Sequence, residues 1–149
     1  MAKILVADGN VRLRLLLTAL VESRDGWQVC GEAADGAEVV QKALELKPDL
    51  IVLDFAMGGL NGLQAAAKIL ATHPAMPIIL HTFYGFDAMI AEAKKVGIRD
   101  VVPKGESANR LCEAIEKSLA AEARSSRLLI MDAPVSEQAG TETSRQCIS

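Results

Sequence analysis

Aromatic side chains are scarce: one Trp, one Tyr and three Phe among 149 residues, which leaves core volume to Leu, Ile, Val and Ala. The three cysteines, Cys30, Cys112 and Cys147, are far apart and form no CxxC pair, so neither a disulfide framework nor a redox motif is expected. A structural zinc site is equally unsupported, because His73 and His81 have no cysteine near them in sequence. Long apolar runs are missing too. The stretch Leu15 to Val21 is broken by Thr18 and falls short of the ~20 residues that span a bilayer. The few apolar residues before Asp8 are too short for a signal peptide. Neither charge dominates: sixteen Lys+Arg against nineteen Asp+Glu give a net charge of −3, which argues against a broad nucleic-acid footprint. A reduced, cytoplasmic setting without membrane or direct nucleic-acid contact is expected.

Half of the residues are hydrophobic and 23% are charged, enough for one packed domain. Five short apolar runs recur: Lys3–Ala7, Trp27–Gly31, Leu50–Leu53, Pro77–Leu80 and Asp100–Val102. The third and fourth are continuously apolar, as strands buried on both faces of a parallel sheet are. Segments with helical spacing lie between them. Asn10 is placed to cap a helix carrying Leu13, Leu16, Leu17 and Leu20. Asp35-Gly36-Ala37-Glu38 reads as a capping box for a helix that buries Val39, Val40, Ala43 and Leu44 and stops at Pro48. Further helices are expected over about Gly62–Ala71 and Asp87–Val96, the latter closed by Gly97, and from near Ser107 with Leu111, Ala114, Ile115 and Leu119 on one stripe. Strict strand–helix alternation predicts an α/β fold: a three-layer, doubly wound (βα)5 parallel sheet with flavodoxin-like strand order 2-1-3-4-5. Residues 1–124 read as one domain and 125–149, rich in Ser, Thr, Gln and Gly, as a flexible tail without an output domain.

In such sheets ligands bind beyond the carboxyl ends of the strands, where strand order reverses between the first and third. Asp8 ends the first run and Asp54 the third, so two carboxylates should meet there. Thr82 follows the fourth run and Lys104 the fifth. Strand-end Asp commonly just caps the next helix, but four polar residues at four strand ends make a constellation. The set suits phosphoryl transfer. Asp54 could attack a phosphorus centre to form an acyl phosphate, while Lys104 pairs with a phosphoryl oxygen and Thr82 donates to another. Mg²⁺, which needs only one or two carboxylates beside phosphate oxygens and waters, would neutralise the gathered charge.

These residues resemble the receiver domain of two-component response regulators over roughly Met1–Ala121. The segment Leu53-Asp54-Phe55-Ala56-Met57-Gly58-Gly59-Leu60-Asn61-Gly62 is similar to that family's LDxxMPxxxG pattern. Ile4-Leu5-Val6-Ala7-Asp8 with Asn10 and Arg14, the run Gly31-Glu32-Ala33-Ala34-Asp35-Gly36, and Lys104 add to it. The resemblance implies a signalling module rather than an enzyme. Asp54 would be the phosphoacceptor from a sensor histidine kinase or phosphotransfer protein, Thr82 the switch hydroxyl and Lys104 the phosphate-binding lysine. A downstream protein partner is implied without being specified, and homodimerisation is left open.

Departures from the family pattern carry physical consequences. Receivers usually have two adjacent acids after the first strand, and Gly9 replaces the one that normally ligates Mg²⁺ directly. Asp8, Asp54 and the Ala56 carbonyl remain as metal ligands, so Mg²⁺ binding is expected but weakened. The switch aromatic three residues before the lysine is Val101. Two readings follow: a phosphorylatable receiver, favoured by intact Asp54, Thr82 and Lys104, or a pseudo-receiver that binds protein without phosphorylation, favoured by Gly9 and Val101. A dehalogenase-like phosphatase would want a second Asp where Ala56 stands, and a nucleotide-binding domain a glycine-rich phosphate loop in place of Asp8-Gly9-Asn10-Val11-Arg12. Phe83, Tyr84 and Phe86 read first as loop packing, with Tyr84 alternatively folding over Asp54 or anchoring a partner. His81 reads as a hydrogen-bonded core residue, Met57 as packing, and Cys30 and Cys112 as buried small hydrophobes.

Overall fold

A computed structural model describes residues 1–84, 87–125, 127 and 128. Five strands, β1 (Ala2–Ala7), β2 (Trp27–Ala33), β3 (Leu50–Leu53), β4 (Ile78–Thr82) and β5 (Asp100–Pro103), alternate with helices α1 (Val11–Glu22), α2 (Gly36–Leu46), α3 (Gly62–Thr72) and α4 (Asp87–Val96). A fifth helix, α5, runs through residues 108–125. All strand pairs are parallel and the order is β2-β1-β3-β4-β5, the expected doubly wound arrangement. The chain divides into Met1–Leu119 and Ala120–Ser149, and most of the second unit lies outside the described residues.

Side chains alternate across the sheet with the period of two that strands impose. Leu5, Ala7, Ile51, Leu53, Ile78 and Leu80 face Val39 and Ala43 of α2, Ala65, Ala66 and Ile69 of α3, and Met89 and Ala93 of α4. Ile4, Val6, Leu50, Val52, Ile79 and Val102 face Leu17 and Val21 of α1 and Leu111, Ala114 and Ile115 of α5. The two aliphatic layers seal both faces, so polar chemistry is confined to the strand ends.

Local signals account for most boundaries. The Asn10 side chain accepts from the backbone N–H of Arg12 and Leu13, and Gly97 closes α4 at φ 109. Asp35 accepts from the N–H of Glu38, but the Glu38 carboxylate accepts from Ala34 N–H rather than from the cap residue itself. The full reciprocal box occurs instead at Asn61 and Gln64, opening α3. Two apolar stripes differ from expectation. Leu16 is 66% exposed, because Leu17 and Val21 centre the buried face of α1 and residue 16 lies a quarter-turn away. Leu44 is 49% exposed for the same reason relative to Val39 and Ala43. Between Ile4 and Leu5 the register to β2 slips by one residue, which places Cys30 in a bulge and leaves it half-buried rather than buried. Cys112 is buried, as expected.

Candidate functional site

Asp8 directly follows β1 and Asp54 directly follows β3, and those strands are neighbours, so both carboxylates leave the sheet side by side. One further rung beyond the strands fixes the backbone: Asp54 N–H donates to Ala7 C=O at 2.9 Å, and Lys104 N–H to Thr82 C=O at 2.9 Å. Asp8 is held by Asn10 N–H, which donates to Oδ1 at 2.8 Å, and by Arg14, whose Nη1 donates to the Asp8 carbonyl at 2.8 Å. Arg14 is anchored in turn to Glu32 at 3.3 Å.

The Lys104 ammonium bridges the two acids, 2.8 Å from Asp8 Oδ2 and 3.2 Å from Asp54 Oδ2. All three side chains are nearly closed to water, at 5% exposure for Lys104, 1% for Asp8 and 7% for Asp54. Two carboxylates against one ammonium leave a buried net charge of about −1 when both acids are ionised. Burial pushes the Asp54 carboxyl above the usual range; the Lys104 cation opposes that shift, and the Asp8 charge adds to it. Asp8 Oδ2 has the ammonium as an ionic neighbour but no aligned hydrogen-bond donor, so a buried acceptor remains open there.

A Cβ built on Gly9 would lie 3.6 Å from the Ala56 carbonyl oxygen and 3.7 Å from that of Ala34, with no clash. Position 9 therefore faces the Ala56 carbonyl at ordinary contact distance. Among the described residues no cluster of three His, Cys, Asp or Glu could hold an ion. An all-oxygen set of two carboxylates and one carbonyl fits a hard cation that keeps several waters, such as Mg²⁺, and does not fit zinc.

The loop after Asp54 folds back tightly, with Gly62 N–H donating to Phe55 C=O at 2.8 Å. A Cβ at Gly62 would sit 2.3 Å from the Asp54 carbonyl oxygen, so only glycine allows α3 to start this close beneath the acid. Met57 is half-buried against the aliphatic layer, as expected for a packing residue.

Thr82 is fully buried, and its Oγ1 accepts from Tyr84 N–H at 3.1 Å, which leaves the hydroxyl proton to be donated elsewhere. The aromatic residues of this loop are not simply packed. Phe83 is 70% exposed with its ring centroid 5.1 Å from the Lys104 ammonium, a cation–π distance. Tyr84 is 46% exposed and meets Phe55, the neighbour of Asp54, edge-on at 5.8 Å and 66°. Tyr84 thus covers the residue beside the acid. Phe86 lies outside the described residues. These ring contacts left no trace in sequence periodicity; their only signal is that the aromatics directly follow Thr82 and Asp54.

His81 corrects one expectation. Its Nδ1 is buried without a hydrogen-bond partner, although Lys104, Glu106 and Ser107 share the adjoining hollow with Leu111 and leucines of α1. Burial, reinforced by the Lys104 cation, lowers the imidazole from 6.5 to about 4.

Fold and site together define a doubly wound α/β domain with a carboxylate–lysine cluster at its topological switch point. A family model for the response regulator receiver domain matches residues 4–116, and the chain belongs to that family. The chemotaxis protein CheY of Listeria monocytogenes is 36% identical over 118 residues, 79% of this chain and 98% of that protein. The response regulator GacA of Pseudomonas syringae pv. syringae is 34% identical over 77% of this chain and 54% of its own length. The response regulator domain of Thermotoga maritima CheB superposes with a TM-score of 0.76 at 30% identity, covering 80% of this chain and 97% of that one. No helix among the described residues is long and apolar enough to cross a membrane.

Proposed function

We propose that this receiver accepts a phosphoryl group on Asp54, from a sensor histidine kinase or a phosphotransfer protein, and thereby switches the binding of a downstream protein. The buried Asp8–Lys104–Asp54 cluster at the β1/β3 edge supports this reading best. An Asp54 carboxylate oxygen attacks phosphorus; the bond to the donor imidazole breaks, and the imidazole leaves as the neutral base after taking up a proton. Lys104 already touches Asp54, and a small rotation moves its charge onto a phosphoryl oxygen. Thr82 donates its free hydroxyl proton to another. Asp8, Asp54 and the Ala56 carbonyl would hold Mg²⁺, whose charge offsets that of the incoming phosphoryl group. Asp8 stays behind as the fixed acid, kept in place by Asn10 and Arg14. The module acts by shifting populations between forms rather than by turning over a substrate. The receiver is assigned to residues 1–124, with 125–149 as its tail.

Intact-protein mass after incubation with acetyl phosphate tests this, with and without Mg²⁺ and beside Asp54→Asn. One phosphoryl adduct that needs Mg²⁺ and is lost in the variant is expected. No adduct, together with no binding of beryllofluoride, would instead make the chain a phosphorylation-independent binding module.

A further inference from the structure

Helix α1 carries apolar side chains on both of its faces. Leu17 and Val21 are buried where the helix packs on β1 and β2. On the opposite side Val11 is 56%, Leu15 59% and Leu16 66% exposed, and Ala19 is exposed beside them. No other helix among the described residues exposes more than one large hydrophobic side chain. A surface helix ordinarily sets polar residues opposite its buried stripe, and α1 departs from that pattern.

The outer face of α1 is also ordered by charge. At about 100° per residue, Arg12, Leu15, Ala19 and Glu22 fall on one seam, with Val11 and Leu16 on its two flanks. Successive steps of three, four and three residues are the spacing by which two helices lie side by side. Arg12 and Glu22 are exposed, and neither side chain has an ion-pair partner among the described residues. Both ends of the seam lie five residues from Leu17, and Leu15 and Ala19 lie two residues from it. Reversing the seam about that midpoint therefore sets Arg12 opposite Glu22 and Leu15 opposite Ala19. Cation meets anion at each end, and a large side chain meets a small one at each layer between. Self-complementarity under reversal is the condition for a two-fold contact between identical chains.

We propose that the outer face of α1 pairs antiparallel with α1 of a second copy of this chain, Leu15 packing on the partner's Ala19 and Arg12 meeting the partner's Glu22. A parallel pair would set Arg12 against Arg12 and Glu22 against Glu22, and like charges in one layer repel. An unrelated partner would call for an apolar stripe but not for opposite charges equally far from its midpoint; a second copy accounts for both. The seam is three turns long, about 15 Å, so the contact is small and the dimer dissociates on dilution. No residue of the Asp8–Lys104–Asp54 cluster takes part, and the proposal stands apart from the phosphoacceptor reading.

Sedimentation velocity of the full chain, from about 10 μM to about 1 mM, tests the pairing. The parent is expected to move from monomer to dimer across this range. Arg12→Glu alone, or Glu22→Arg alone, sets like charges at both ends of the seam and should weaken the dimer at least about tenfold. An equal mixture of those two variants restores a cation–anion pair at both ends, so it should associate as the parent does. The double variant Arg12→Glu/Glu22→Arg exchanges the ends and should also dimerise like the parent. Leu15→Asp should remain a monomer throughout. All three positions are exposed, so thermal unfolding of each variant at low concentration should match the parent. A parent that stays monomeric at the highest concentration would overturn the proposal and leave the face to a different protein. A dimer that withstands Leu15→Asp and both single reversals would overturn it by placing the contact elsewhere. Failure of both the mixture and the double variant to recover association would overturn the antiparallel pairing.

Discussion

Gly9 is the position at which one side chain would bear most directly on the proposed Mg²⁺ site. Its backbone has no need of glycine: φ is not in the left-handed region, and a Cβ would make only ordinary contacts with the Ala56 and Ala34 carbonyl oxygens. An aspartate here would reach toward the Ala56 carbonyl and add a third anionic group to Asp8 and Asp54. Gly9→Asp should therefore bind Mg²⁺ at least about tenfold more tightly, as added ligand charge does at hard-cation sites. Without the ion the same variant should be less stable, because like charges then crowd a cluster with one ammonium. Calorimetric titration with Mg²⁺ and urea unfolding in chelator check the two halves; unchanged affinity would show that position 9 does not face the ion. Asp8, Asp54, Thr82 and Lys104 were legible as a set because each sits at the carboxyl end of an apolar run. Gly62 was legible only as a motif position, since its need for glycine arises from a 2.3 Å approach to the Asp54 carbonyl oxygen across a loop. Tyr84 and Phe83 were legible as residues but not as contacts, because no period governs where a loop turns its rings.

At the scale of elements, β4 carries the sharpest contrast, with Thr82 fully buried and His81 lining the hollow beside the leucines of α1. The imidazole lies at about 4 in the fold and returns to about 6.5 when the chain unfolds. Between those values the unfolded chain binds more protons, so stability rises with pH across this window and is lost as pH falls from about 6.5 toward 4. The full shift corresponds to roughly 3 kcal/mol, less for the part of the ring that water reaches. His81→Leu removes the unpaired Nδ1 and places an apolar side chain beside the leucines of the hollow. Subtracting its urea-unfolding free energy from that of the parent across pH 4–8 should leave a difference that grows on acidification; a flat difference would mean that His81 is protonated alike in both states. Strands were the most legible elements, because continuous Ile, Val and Leu runs buried on both faces have few alternatives. Helix stripes were less so. Leu16 satisfied the spacing yet lies 66% exposed, since in a leucine-rich helix several faces score alike and only packing on β1 and β2 chooses among them.

For the whole molecule, the two sealed aliphatic layers supply stability, and the carboxyl edge of the sheet gives some of it up. Asp54 is the clearest case. Its carboxyl is held above the usual range chiefly by burial, against the pull of Lys104. The sign is that of a raised acid: whatever stability the group contributes is present below its unfolded value of about 3.9 and is lost as pH rises through the folded value. At neutral pH the ionised acid is therefore a net burden on the fold, which is consistent with an anion kept for the proposed phosphoacceptor role rather than for stability. Asp54→Asn removes the charge while conserving shape, and Lys104 keeps Asp8 as its partner at 2.8 Å. The variant should melt at a higher temperature than the parent at pH 7 in the absence of divalent ions, and the gap should close as pH falls through the raised folded value of Asp54 toward its unfolded value of about 3.9. Mg²⁺ should narrow the gap at neutral pH from the other side, by binding the parent and stabilising it through linkage while leaving the variant less affected. Thermal unfolding of both proteins across pH, with chelator and with Mg²⁺, checks this. A variant less stable than the parent at pH 7 would mean that the attraction of Lys104 outweighs burial, and that the cluster is a structural ion pair first and a reactive centre second.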